Sequence, residues 1–167
     1  AIWGVDEKLE IVITDKTGDN KELIFIVDDQ ALQNITTENG IANVELSPGK
    51  GDHRIMVSPA GAPGSRGSSW ADVRVVEYRE EVVRMFNELY TDYRSAHAGP
   101  DNEMTARELE NAMRKEVPEN MLKNLSDTIT LFEYANYSLH AIGREDFETM
   151  YRSRLGLMPL AGGRHGE

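Results

Sequence analysis

"ITTENGIANVELSPGKGDHRIMVSPAG", residues 35–61, contains two apolar alternations separated by turn residues. Ala42, Val44 and Leu46 share one side of the first, and Ile55 and Val57 share one side of the second. Successive side chains of a strand point to opposite faces, so each run reads as a strand with one buried face. Glu38-Asn39-Gly40 opens the first run as a turn, with Gly40 free to take a positive φ. Pro48-Gly49 ends it.

The same grammar extends outward in both directions. "KLEIVITD" (8–15) is rich in β-branched residues and stops at the turn cluster "KTGDN". "ELIFIVDD" (22–29) is a continuous apolar run, as in a buried strand, with Asp28-Asp29 as turn residues. "ALQNITT" (31–37) is a weaker strand. "SPAGAPGSRGSS" (58–69) reads as a long mobile loop. "WADVRVVEY" (70–78) is the last strand, with Trp70, Val73 and Val75 expected as core anchors. Six or seven short strands at regular spacing predict an antiparallel, Ig-like β-sandwich, although no Cys…Trp…Cys pattern accompanies it.

From Arg79 the apolar period becomes 3.6. Val82, Phe86, Leu89 and Tyr93 form one stripe, widened by Val83, Met85 and Tyr90. "HAGPDNE" ends that helix at Gly99 and Pro100. Thr105 and Glu108 form a capping-box pattern for a second helix with Leu109 and Met113 inward. Pro118 starts a third, along which Leu122, Leu125, Ile129, Phe132 and Leu139 recur. Gly143 breaks it, and "REDFETMYRSRLGL" gives a fourth with Phe147, Met150, Tyr151 and Leu155 inward. The expected fold is therefore α+β: a sandwich over residues 5–78, a small four-helix bundle over 79–157 and a flexible tail over 158–167. Only one or two residues separate the last strand from the first helix, too few for a flexible tether.

Composition limits the function. The 167 residues carry a net charge of −11, which opposes binding to a phosphate backbone, so nucleic acid is not expected as a partner. There is no cysteine, which excludes thiolate zinc sites and cysteine nucleophiles. No apolar run reaches the length of a membrane span. His53, His97, His140 and His165 lack metal-ligand spacing and read as surface or structural histidines. No nucleophile elbow or phosphate loop occurs, and "DKTGDN" fails the calcium-loop pattern. No metal or cofactor is expected. Sequons stand at Asn34, Asn124 and Asn136.

"LFEYANYSLH" (131–140) is the densest cluster of chemistry. Glu133 and Tyr137 are i, i+4 neighbours on a helix, with Tyr134 one position off their line. Three readings follow. The residues can form a structural network, with Glu133 taking a tyrosine hydroxyl or pairing with Arg107 or Arg144. They can form a recognition face. Glu133, with Tyr137 or His140, can also serve a hydrolase.

Two resemblances follow from these motifs. Thr37, Gly40, Ala42, Val44, Leu46, Pro48, Gly49, Ile55 and Val57 match the signature of prealbumin-like or carboxypeptidase-regulatory-like sandwiches, which implies a spacer or binding unit. "YREEVVRMFNELY", "MTARELENAM" and "ITLFEYANYSLHAIGREDFETMY" resemble a C-terminal helical domain of unknown function from bacterial and archaeal transglutaminase-like membrane proteins. Thr105, Ala106, Arg107 and Glu108 match its first motif; Leu131, Phe132, Glu133, Ala135 and Tyr137 match its second. The resemblance covers about residues 78–157. It implies a non-catalytic interaction or scaffolding region of a membrane-anchored envelope protein. Protein partners in the envelope follow, with the extracytoplasmic side favoured. Arg107, Glu108, Glu133, Tyr134 and Tyr137 are its candidate interaction or network residues. The alternatives are a module that binds carbohydrate or wall polymer through Trp70 and the 58–69 loop, and a hydrolase using Glu133.

Overall fold

The computed structural model describes residues 1–98 and 103–159. Gly99, Pro100 and most of the expected tail, including His165, lie outside the described residues. The chain divides into two compact units, Ala1–Glu77 and Tyr78–Glu167.

The first unit has seven strands among the described residues: β1 (Ile2–Gly4), β2 (Leu9–Thr14), β3 (Glu22–Val27), β4 (Gln30–Thr36), β5 (Ile41–Leu46), β6 (Gly51–Pro59) and β7 (Ser69–Val76). They form a five-stranded sheet in the order β1-β7-β6-β3-β4 and a two-stranded sheet of β2 and β5. Leu9 and Val44 from the small sheet meet Phe25, Ile55, Val73 and Val75 from the large one in a single core. That is a sandwich, and the expected alternations of β5 and β6 are what it buries.

Three expectations need correction. The sandwich is not wholly antiparallel, because β1 pairs with β7 in parallel through Ile2↔Arg74 to Gly4↔Val76. β1 also precedes the expected range of 5–78; three residues are too few to show a period. Trp70 is not a core anchor: it is 62% exposed. Val73 and Val75 are buried, and Trp70, at the opposite parity on the same strand, faces the other way. Between β6 and β7 the chain runs through a series of turns, with backbone bonds Ala62→Pro59, Ser65→Ala62 and Ser68→Ser65. Buried Ser58 organises it: its hydroxyl accepts the Gly64 N–H at 3.1 Å and bonds Ser68 Oγ at 2.8 Å.

Thr37 and Gly40 fix the β2–β3 loop against the β4–β5 turn. Thr37 is fully buried; its hydroxyl accepts from Lys21 N–H (2.8 Å) and donates to the Asp19 carbonyl (2.9 Å). Gly40 has φ +79°, and a Cβ there would lie 2.6 Å from the Asp15 carbonyl oxygen. Lys21 and the backbone and hydroxyl of Thr17 hydrogen-bond the Asp15 carboxylate and lower its pKa to about 2.

The second unit contains α1 (Tyr78–Tyr93), α2 (Ala106–Arg114), α3 (Leu122–Tyr137) and α4 (Arg144–Leu157). A π-helical turn, Arg94–Ala98, extends α1, and a short 3₁₀ turn, Glu119–Met121, precedes α3. Pro118 caps that turn instead of starting α3 itself. α1, α3 and α4 pack on one another, and α2 packs on α3. Val82, Leu89, Leu109, Met113, Leu125, Ile129, Met150 and Leu157 are all but inaccessible. Phe86 stacks on Phe132 with centroids 3.8 Å apart.

Two helix expectations fail here. Leu139 is fully exposed, because α3 stops at Tyr137. Ser138 is extended there, and its hydroxyl donates to the Tyr134 carbonyl at 2.8 Å, which competes with further helical turns. On α4 the buried stripe is Phe147, Met150, Ser153 and Leu157, which leaves Tyr151 and Leu155 facing out. Among the described residues, no helix is long and apolar enough to cross a membrane.

Candidate functional site

Thr105 begins the construction of the site. Its hydroxyl accepts the Glu108 N–H at 3.2 Å and so starts α2 at Ala106. Arg107 then stands on the first turn, directed toward Glu133 of α3. The guanidinium engages both carboxylate oxygens, with Nε–Oε1 at 2.6 Å and a second bond to Oε2 at 3.1 Å. Paired bonds of this kind fix orientation as well as charge. Arg107 also lies 3.6 Å from Glu110, which pairs in turn with Arg114 at 3.2 Å.

Beside this pair lies a depression of about 560 Å³. Phe86 and Phe132 line it, with Tyr90, Arg107, Glu133 and Tyr137 around them. Tyr90 is oriented by its hydroxyl, which accepts the Met104 N–H at 2.8 Å. Tyr137 sits edge-on to Phe132, at 6.0 Å and 84°, while remaining 76% exposed.

Of the five candidate residues, the structure brings Arg107, Glu133 and Tyr137 together. Glu108 serves the cap through its backbone, and its side chain is exposed. Tyr134 turns away and stacks on His140 at 4.6 Å. The expected network is therefore a surface feature: the Arg107 and Glu133 side chains are 59% and 31% exposed. Arg144, the other expected partner for Glu133, lies over the Tyr78 ring at 5.7 Å and pairs with Glu148 at 3.9 Å. Both oxygens of the Glu133 carboxylate are thus engaged by one guanidinium.

Arg79 is a site residue that the sequence did not reveal. Its Nη1 donates to the carbonyls of Tyr134 (3.0 Å), Ala135 (2.6 Å) and Ser138 (3.0 Å), and Nη2 donates to the His140 carbonyl. It closes the C-terminal end of α3, which carries Glu133 and Tyr137. In the first unit, Arg54 lies over exposed Trp70 at 4.6 Å and pairs with Asp72 at 2.9 Å. Among the sequons, Asn34 and Asn136 are exposed, whereas the Asn124 amide contacts Met121 Sδ at 3.4 Å in a partly buried position. Among the described residues, no group of three or more His, Cys, Asp or Glu side chains could hold a metal ion. No protein-family model, curated protein or solved structure matches this chain.

Proposed function

We propose that the chain is a non-catalytic interaction region of a membrane-anchored cell-envelope protein. In this reading the helical unit is related to the domain of unknown function of transglutaminase-like membrane proteins, and the first unit is a prealbumin-like spacer. The extracytoplasmic side is its place of action. One observation carries the interaction reading: exposed Tyr137 and the Arg107–Glu133 pair rim an aromatic-floored depression. Tyrosine and arginine supply much of the binding energy at protein interfaces, and a pre-ordered guanidinium loses little entropy on docking. Affinity capture from native membranes tests it. The chain should retain a defined envelope protein that Tyr137→Ala loses, with the melting temperature unchanged. Capture that is identical for both chains would refute the assignment.

The exposure of Trp70 supports a second reading, in which the first unit binds carbohydrate or wall polymer. Its aromatic face, backed by Arg54, is the surface on which a sugar ring stacks. A glycan array with and without calcium decides this: binding should vanish in Trp70→Ala, and a blank array under both conditions removes the reading.

A further inference from the structure

His53, on β6 of the first unit, lies between two turns. Its Nδ1 is 2.7 Å from Asp28 Oδ2, and its Nε2 is 2.5 Å from the Gly49 carbonyl oxygen. The side chain is only 16% exposed. Asp28 and Asp29 form the two-residue β3–β4 loop, with φ of 50° and 65°, the positive pair that type I′ turns require. Gly49 belongs to the β5–β6 turn. The ring thus joins two loops that are distant in sequence.

Both partners are acceptors. A neutral imidazole donates from one nitrogen and presents a lone pair at the other; only the imidazolium donates from both. Among the surrounding charges, Asp52 and Asp72 are themselves paired, and Asp29 acts on Arg54. Asp52 binds Arg74 (2.7 Å), Arg54 binds Asp72 (2.9 Å), and the amine of Ala1 donates to the Asp72 carbonyl (3.1 Å). The second oxygen of Asp28 accepts the Arg54 N–H at 2.8 Å. Asp28 is therefore held to β6 whatever the state of the ring. A neutral ring keeps one N–H, which the charged carboxylate of Asp28 favours at Nδ1, so the bond from Nε2 to the Gly49 carbonyl is the one that depends on protonation.

We propose that His53 is a pH-set latch: protonated, it ties the β5–β6 turn to the β3–β4 turn, and on losing its proton it releases the Gly49 carbonyl. Asp28, and after it the Gly49 carbonyl, raise the histidine pKa above its ordinary 6.5. The stability contributed by the latch is accordingly complete below that ordinary value. It is lost as pH rises through the higher folded midpoint.

The test is an NMR titration of the whole chain from about pH 5 to pH 9, near and above the ordinary histidine range. The His53 ring should titrate above 6.5, and the amides of Lys50 and Gly51 should shift with the same midpoint. Asp28→Asn, which suits a positive φ, should lower the midpoint, and His53→Gln should abolish the pH dependence of those two amides. A midpoint at or below the ordinary value, or Lys50 and Gly51 amides that ignore the titration or still follow it in His53→Gln, overturns the proposal.

Discussion

The Arg79 guanidinium lies 2.6 Å from the Ala135 carbonyl oxygen, fifty-six residues away. One side chain near the start of α1 thereby satisfies carbonyls at the end of α3, a helix with no basic residue in its own last turn. The last carbonyls of a helix have no partner within it, and cations are favoured there. A hydrogen bond to a charged group contributes about 1.5–3 kcal/mol, and bonds that share one guanidinium do not add in full. Arg79→Met should lower the urea midpoint of unfolding accordingly, and Arg79→Lys should recover only part, because one ammonium lacks the planar fork. An unchanged midpoint in Arg79→Met would show the contact to be inert.

Gly40 is tightly constrained by its own backbone conformation and by its neighbours. An alanine there would meet the Asp15 carbonyl and the Gly18 Cα, at 2.6 and 2.8 Å, in a backbone region hostile to side chains. The backbone conformation alone costs about 1–3 kcal/mol. Gly49→Ala is the matched control, since nothing lies within 4 Å of a Cβ there. Chemical denaturation should separate the two substitutions clearly; equal midpoints would contradict the packing described for this turn.

In the helical unit, Ile129 and Leu139 reverse the equivalence that their spacing suggests. Ile129→Ala empties a fully buried site and should cost about 2–5 kcal/mol. Leu139→Ser, beyond the end of α3, should change stability by no more than about 0.5 kcal/mol. Calorimetry on the two variants checks the helix boundary directly.

The sequence revealed periods better than ends and partners. The burial of Ala42 and Val44 follows from alternation, and Val82, Phe86 and Leu89 follow from helical period. On α4 two readings of one period compete. Phe147, Tyr151 and Leu155 form an apolar i+4 row, but the buried row turns from Phe147 through Met150, Ser153 and Leu157. Trp70 lies at the opposite parity to Val73 and Val75 on β7, so strand alternation places it outside the core. Of the site, the Thr105 cap and the Glu133–Tyr137 neighbourhood were readable because they are local. Arg79 with Ala135, and His53 with Asp28, join residues far apart in sequence, and no local pattern encodes them.

The Glu133–Arg107 pair, being partly exposed, should matter little for stability. Pairs of this class contribute about 0–1 kcal/mol, less in salt. Glu133→Gln should therefore shift the thermal midpoint by no more than a few degrees. A larger loss would mean that the pair is a structural element of the helical unit.

The central claim is that the face around Tyr137 docks a protein partner. Site-specific photocrosslinking in native membranes tests it most directly, with a benzophenone amino acid at position 137 and, as control, at exposed position 151. The account predicts a discrete adduct from position 137 that is absent from position 151 and lost in an Arg107→Ala background. No adduct from position 137, or the same adducts from both positions, would contradict it.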